Sequence, residues 1–180
     1  MASRPPQVRY TYDDLLDMPD DGCRYEIIDG ALYVTPPPPA VPHARVAQWL
    51  AVELGLYQRA HGGEVFASAV GLYFTHENFV EPDALYVAPE HLDRIGEQKL
   101  EGPPDLVVEI SSPSTRRRDV TLKRDLYLRF GVRDYWFVDL KRDAVVVFRP
   151  DEDPLVLHRG DKLTSPALPA FVLAVEELLG

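Results

Sequence analysis

The chain has 180 residues, of which 46% are hydrophobic, and its formal net charge is −10. We expect one domain with a substantial core over 10–180, preceded by a flexible segment over 1–9. The negative charge argues against a protein that coats nucleic acid, because such proteins need a basic surface. The chain has no long apolar run and no signal-peptide segment, which predicts a cytoplasmic protein without a membrane span. The lone Cys23 excludes an internal disulfide and a multi-cysteine zinc site.

Residue patterning predicts alternating strands and helices along the chain. Asp29-Gly30 is a strong signal for a hairpin, and four prolines at 36–39 predict a stiff connection. We expect the strands at 64–67 and 70–74 to be antiparallel neighbours, and 96–103 to be a mobile loop. The predicted strands are 24–29, 31–35, 64–67, 70–74, 84–87, 106–111, 135–140, 144–148 and 155–158. The predicted helices are 43–61, a short helix over 89–95, 115–130 and a terminal helical turn over 176–179.

The strand over 106–111 is almost uninterrupted in its apolar character, which predicts burial on both faces. A strand, a helix and a second strand in succession favour parallel pairing of 106–111 with 135–140. We therefore predict a single-domain α/β fold. Its central mixed sheet is flanked by helices, with an extra N-terminal hairpin and extra C-terminal strands.

The segment 116–133 contains seven Lys or Arg residues and two Asp residues, which gives it a net charge of +5. A basic segment on an acidic protein is either a local contact for phosphate groups or a solvated helix face. The sequence leaves these two interpretations open.

Two acidic residues lie at the ends of predicted strands. Glu109 is surrounded by apolar residues near the carboxyl end of its strand, where open sheets commonly place their sites. Asp83 follows Pro82 at the start of another strand. Either acid has an ordinary interpretation, as a strand-end charge or a turn residue. As a pair, they have the oxygen ligands that Mg²⁺ prefers.

The helix over 115–130 carries two charges on its apolar side. At 100° per residue, Asp119 and Lys123 fall within the arc that contains Val120, Leu122 and Leu126. A Lys that faces the core is rare unless it is paired. Lys123 either forms an ion pair with Asp119, one turn away, or reaches over the strand end towards Glu109.

Three further polar residues are candidates for the same site. Glu26 lies in a predicted strand and is either a third acid of the site or an edge charge. His43 begins the long helix on its buried side, where it is either structural or catalytic. Ser111 lies in a serine-rich turn without a G-x-S-x-G motif, which favours a turn and capping role.

These features together resemble the PD-(D/E)XK superfamily, which has the restriction-endonuclease-like fold. They are most similar to its Uma-type endonuclease-like family of bacterial proteins, formerly a domain of unknown function. The resemblance spans most of the chain. It is carried by RYEIIDGAL at 24–32, His43, EPDALYV at 81–87, PDLVVEISSPSTRRRD at 104–119, Lys123 and DYWFVDL at 134–140.

The resemblance implies a role for each acid. Asp83 matches the acid of the PD motif, and Glu109 matches the acid of the (D/E)XK motif. The motif's Lys is expected at position 111, where this chain has Ser111. The resemblance implies that Lys123 supplies the ammonium instead, as a migrated lysine, and that Glu26 is the additional N-terminal acid.

The implied activity is metal-assisted hydrolysis of a nucleic-acid phosphodiester, with DNA the favoured substrate. Asp83, Glu109 and the backbone carbonyl of Ile110 would hold Mg²⁺ or Mn²⁺. Lys123, positioned by Asp119, would orient the attacking water or stabilise the transition state. The residues expected to contact the nucleic-acid backbone are Arg116, Arg117, Arg118 and Arg124.

Two other functions fit the same residues. A catalytically degenerate nuclease fold would bind nucleic acid or a protein partner without cutting. A two-carboxylate hydrolase would act on a small substrate. The sequence does not fix the oligomeric state. Dimers of this fold often cut both strands of a duplex, and for a homodimer the strands after Phe148 are a candidate interface.

Overall fold

The structure is a computed structural model that describes residues 8–36, 41–67 and 70–180. Most of the segment predicted to be flexible, 1–9, and most of the proline connection predicted at 36–39 lie outside these residues. In the described part of the N-terminus, the Arg9 side chain forms an ion pair with Glu77.

The described chain alternates strands with helical segments, and two longer helical regions flank the sheets. The strands are β1 Arg24–Ile28, β2 Ala31–Thr35, β3 Glu64–Phe66, β4 Leu72–Thr75, β5 Asn78–Val80, β6 Ala84–Val87, β7 Leu100–Glu101, β8 Leu106–Ile110, β9 Asp134–Asp139, β10 Ala144–Phe148, β11 Leu155–Leu157, β12 Lys162–Ser165 and β13 Leu168–Ala174. The helices are α1 Tyr12–Leu15, α2 Val41–His61, α3 Arg116–Arg118, α4 Arg124–Arg129 and α5 Val175–Leu179, with a 3-10 helix at Pro89–Arg94 and a π-helical turn at Asp119–Lys123. No helix within these described ranges is long and apolar enough to cross a membrane.

The main sheet has the strand order β11-β10-β9-β8-β6-β3. The β8–β9 pair is parallel, as predicted, and the other pairs of this sheet are antiparallel. All five residues of β8 are buried, and alternate residues pack on opposite faces. Val108 joins the core beneath α2, whereas Val107 joins the core that includes Leu126 and Tyr127 of α4. Glu109, two residues after Val107, therefore lies on the α4 side.

A second sheet has the order β2-β1-β5-β4-β7. The predicted pairing of 64–67 with 70–74 is wrong, because β3 pairs with β6 in the main sheet and β4 lies in the second sheet. Val65 packs against the core under α2, and Leu72 belongs to the core on the opposite side of the main sheet. The burial requirements of the two strands outweigh their closeness in sequence.

Several short strands were missing from the sequence prediction. The segment 96–103, predicted to be a mobile loop, contains β7, which pairs in parallel with β4 and buries Leu100. β5, β12 and β13 were also missed. The β12–β13 hairpin buries Leu163 and Leu168 in the same core as α2 and α5, so it is part of the fold rather than an appendage.

Candidate active site

The pairing of β6 with β8 brings the two predicted metal-binding acids together. Ala84 is opposite Val108 in this antiparallel pair, and continuing the register by one residue places Asp83 opposite Glu109. Opposite residues of an antiparallel pair project from the same face of the sheet. The backbone N–H of Ile110 donates a 2.8 Å hydrogen bond to Oδ2 of Asp83, which fixes this acid at the end of β8.

Lys123 reaches Glu109, which is the second of the two alternatives left open by the sequence. Its Nζ lies 2.8 Å from Oε1 of Glu109 and 2.6 Å from Oε1 of Glu26, and all three side chains are buried. Tyr127, one turn later on α4, donates a 2.6 Å hydrogen bond to Oε1 of Glu109. One ammonium thus links an acid from each sheet.

Glu26 is positioned by β1 and belongs to the site rather than to a sheet edge. Its Oε1 accepts a 3.0 Å hydrogen bond from the Glu81 N–H, and its Oε2 lies 3.3 Å from the Arg118 guanidinium. Arg24, two residues earlier on the same strand, lies 2.9 Å from Oδ1 of Asp83. β1 therefore contributes one acidic and one basic side chain, which lie two residues apart and so project from the same face of the strand.

Asp83 is held as an anion by its neighbours. Nε2 of His43 lies 3.2 Å from Oδ2, on the side of the carboxylate that also meets the Ile110 N–H. Burial alone would raise the pKa of Asp83. The hydrogen bond and charge of His43, the Arg24 guanidinium and the Ile110 N–H together lower this pKa to about 2. His43 is thus a partner of the site, on the buried side of α2 as predicted.

Glu109 is in the opposite electrostatic situation. Burial raises the pKa of Glu109, and the charge of Lys123 only partly offsets this effect. Burial acts to lower the pKa of Lys123, but the carboxylates of Glu109 and Glu26 raise it, so the ammonium stays charged. The site therefore pairs one strongly ionised acid with one acid that retains a proton more readily than usual.

The π-helical turn changes the arrangement expected from the helical wheel. The Arg124 N–H bonds to the carbonyl of Asp119, five residues earlier, so this turn contains one more residue than an α-helical turn. Leu122, expected in the apolar arc, is 41% exposed. This expectation is wrong because a uniform 100° step does not hold across the π turn. The side chain of Arg118, expected to contact the nucleic-acid backbone, is only 13% exposed.

Asp119 is buried but does not pair with Lys123. Neither oxygen of its carboxylate has a hydrogen-bond partner among the residues that the structure describes. No ion pair joins it to Lys123 within that same part of the chain. Burial raises the pKa of Asp119, and the charge of Lys123 only partly opposes this. The expected direct positioning of Lys123 by Asp119 is wrong, and Glu26 and Glu109 have this role instead.

Ser111, at the position where the family's motif lysine is expected, has a structural role. Its N–H donates to the Val138 carbonyl, and its Oγ accepts a 2.9 Å hydrogen bond from the Leu140 N–H. Both bonds join the end of β8 to β9, so Ser111 extends the strand pairing. The turn bond is made by Ser112, whose Oγ accepts a 3.1 Å hydrogen bond from the Thr115 N–H.

Arg24 and Tyr127 are the site residues that sequence reasoning missed. Arg24 shares strand alternation with Glu26, which was a usable signal. Tyr127 falls on the apolar arc of the helix, where its ring belongs to the core, so only the structure shows that its hydroxyl contacts Glu109.

Most basic side chains of the segment 116–133 have an acidic partner, and five of these acids lie outside the segment. Among the described residues, Arg117 is its only basic side chain without an acidic partner within 4 Å, and Arg117 is exposed. The pairs are Arg116–Asp139, Arg118–Glu26, Lys123–Glu109, Arg124–Asp125, Arg129–Asp29 and Arg133–Asp105. The net charge of +5 read from the segment alone is therefore not a free positive surface.

The site residues line a cleft of about 40 Å³, which has room for a few water molecules or one ion. Four acidic side chains and three basic side chains line it. The acids are Glu26, Asp83, Glu109 and Asp119, and the cations are Arg24, Arg118 and Lys123.

These residues fit a divalent cation of the Mg²⁺ type. Asp83 and Glu109 supply carboxylates on one face of the sheet. The Ile110 carbonyl faces the same side as its N–H, which meets Asp83. The unpartnered carboxylate of Asp119 is a further indication that the cleft takes a positive ligand. Over 8–36, 41–67 and 70–180, no group of three or more His, Cys, Asp or Glu side chains is arranged to hold a metal. The remaining ligands would therefore be water or substrate oxygens.

Comparison with known proteins identifies the fold and the family. A crystal structure of a "putative nuclease belonging to DUF820" from Anabaena variabilis is similar to the chain, with a TM-score of 0.80 and 20% sequence identity. The similarity covers 94% of this chain and 97% of that chain, and it confirms the predicted restriction-endonuclease-like fold. No match was found among curated proteins. A model of the Uma2 family, described as "Putative restriction endonuclease", matches residues 12–176. Because this match covers nearly the whole chain, the protein belongs to the Uma2 family.

Proposed function

We propose that this protein is a metal-dependent endonuclease that hydrolyses phosphodiester bonds of nucleic acid, with DNA the favoured substrate. One observation carries the proposal. Strands of two different sheets and one helix bring Asp83, Glu109, Glu26 and Lys123 into a single cleft. Three acids and a lysine buried together cost folding free energy, and such groups are typical of functional sites.

Each residue has a distinct role in this proposal. Asp83, Glu109 and the Ile110 carbonyl would hold Mg²⁺ or Mn²⁺, and the ion would supply Lewis acidity. Lys123 favours the ionised form of Glu109 against the effect of burial, and it offers a fixed positive charge to the phosphate as negative charge develops on it. Glu26 holds the ammonium in place, and His43 orients Asp83.

A second candidate is a nuclease-fold protein that binds nucleic acid without cutting it. Ser111 favours this candidate, because the position of the motif lysine is occupied by a hydroxyl engaged with the Leu140 N–H. A two-carboxylate hydrolase of small substrates is not favoured. The two carboxylates of Glu109 and Glu26 share the Lys123 ammonium, so they are not a free acid and base for such a reaction.

The test is cleavage of labelled oligonucleotides by the purified wild-type protein. The substrates are single-stranded and duplex DNA and RNA, each with Mg²⁺, with Mn²⁺ and with EDTA. We expect cleavage that requires the metal. Binding without cleavage of any substrate would favour the second candidate, and the absence of both would contradict the proposal.

A further inference from the structure

A second, larger cavity opens beside the cleft. It has a volume of about 540 Å³, within the range of small-molecule sites. Its walls are the first turn of α2, the turn that follows β8 and the residues that follow β9. His43 and Ser112 border both the cavity and the cleft. A ligand with a phosphate in the cleft would therefore extend directly into the cavity.

The cavity combines an apolar wall with basic groups. Pro42, Pro113 and Leu140 supply apolar surface, and Arg116 and Lys141 supply positive charge. The Arg116 guanidinium is held in place by the buried carboxylate of Asp139, with Nε 3.0 Å from Oδ1. No acidic side chain lines the cavity in the described part of the chain. A flat, hydrogen-bonding ring attached to an anion matches this surface, because bases stack on apolar side chains and on guanidinium planes.

The charge distribution argues against recognition through a long duplex. Duplex binding depends on many free Lys and Arg side chains that neutralise phosphates. In the segment 116–133, the arginines already pair with acidic side chains. Among the described residues of this segment, Arg117 alone has no acidic partner, and it is exposed. The whole chain has a net charge of −10. Affinity must therefore come from contacts that depend less on phosphate charge.

We infer that the cavity binds the nucleobase next to the scissile phosphate. A base can enter it only when it is unpaired and unstacked. The substrates are therefore single-stranded or locally unpaired nucleic acid rather than intact duplex. This inference rests on the proposed nuclease function, and it identifies the substrate class of the same site.

Binding of a short fluorescein-labelled single strand of DNA, measured by anisotropy in EDTA, tests the inference. One position of the strand at a time is replaced by an abasic site. For the wild type, we expect one position where the loss of the base weakens binding by roughly tenfold, the effect of losing one stacked base. A fully paired duplex of the same sequence should bind more weakly than the strand.

Two variants assign that position to the cavity. Leu140→Trp fills the cavity, so it should weaken binding of the intact strand, and the abasic substitution should then have no further effect. Lys141→Glu changes an exposed side chain and should also weaken binding of the intact strand. This variant keeps the test valid if Leu140→Trp misfolds. Leu155→Trp, at an exposed position of β11 remote from both cavities, is the matched control and should behave as the wild type.

The outcomes separate this inference from the proposed function. If the wild type binds or cuts duplex as well as single strand, with no position sensitive to base loss, the inference is overturned while the nuclease function stands. If Leu140→Trp and the abasic substitution weaken binding independently, the base does not occupy this cavity. If the wild type neither binds nor cuts any nucleic acid, both proposals fail.

Discussion

The ammonium of Lys123 lies 2.8 Å from Oε1 of Glu109, and both side chains are almost fully buried. The ammonium also contacts Glu26, so one positive charge serves two buried acids. Removing one partner of a buried pair leaves an uncompensated charge, which costs about 3–5 kcal/mol. The site is therefore coupled to the stability of the fold as well as to its chemistry.

Lys123→Ala should lower the free energy of unfolding by about 3–5 kcal/mol at neutral pH, because Glu109 and Glu26 lose their shared cation. Urea denaturation followed by circular dichroism measures this change. Adding Glu26→Gln and Glu109→Gln to the variant should restore part of the loss. A change below about 1 kcal/mol in Lys123→Ala would contradict the buried pairing.

Asp83 should make stability fall in acid. Its pKa is lowered from 3.8 in the unfolded chain to about 2 in the folded protein. An acid with a lowered folded-state pKa contributes stability above its unfolded pKa, and this contribution is lost as the pH falls from about 4 to about 2. The shift corresponds to about 2 kcal/mol. Between pH 6 and pH 3, the free energy of unfolding should fall less in Asp83→Asn than in the wild type. Equal losses in the two proteins would contradict the assignment.

Asp83→Asn and Glu109→Gln should each weaken Mn²⁺ binding by at least about tenfold, measured by calorimetry. The matched control is Asp105→Asn at the opposite end of β8. Asp105 is buried and accepts a hydrogen bond from the Ala88 N–H, but it does not line the cleft. Its replacement should leave the affinity unchanged. Because the pKa of Glu109 is raised and a metal ligand must lose its proton, the affinity of the wild type should increase with pH.

Asp119→Asn should raise the free energy of unfolding by about 1 kcal/mol, because it removes a buried charge that has no hydrogen-bond partner among the described residues. The same substitution should lower nuclease activity, as often happens when a destabilising active-site group is removed. Thermal unfolding and cleavage are measured on the same preparation. A variant that is less stable than the wild type would show that the carboxylate supports the fold.

Arg117→Ala and Arg118→Ala should have different effects although the residues are adjacent. Arg117 is exposed, so its loss should leave stability unchanged and should lower the salt dependence of nucleic-acid binding by about one unit of the log–log slope. Arg118 contacts Glu26 and Thr35, so its loss should destabilise the fold. Anisotropy at several salt concentrations, together with urea denaturation, measures both effects. Equal loss of stability in the two variants would contradict the assignment.

The sequence predicted the part of the site that depends on local periodicity. Residue patterning shows Glu109 in a buried strand and Lys123 on the apolar side of a helix. It also predicts the parallel pairing of the two strands that this helix connects. The contact between Glu26 and Lys123 depends on how the second sheet packs on the main sheet. No local pattern encodes that packing.

Two errors have different physical origins. The helical wheel assumed a constant rotation per residue, and the π turn at Asp119–Lys123 breaks this assumption, so Leu122 is exposed where the wheel predicted an apolar face. The pairing predicted for 64–67 with 70–74 assumed that neighbours in sequence pair in space. Burial of Val65 and Leu72 in different cores determines their sheets instead.

The central claim is that Asp83 and Glu109 form a metal-dependent nuclease site. The most direct test is single-turnover cleavage of a labelled single strand across a range of Mn²⁺ concentrations, by the wild type, Asp83→Asn and Asp105→Asn. We expect Asp83→Asn to be slower by at least about 100-fold at every Mn²⁺ concentration, and Asp105→Asn to match the wild type. Cleavage by Asp83→Asn at the rate of the wild type would contradict the claim.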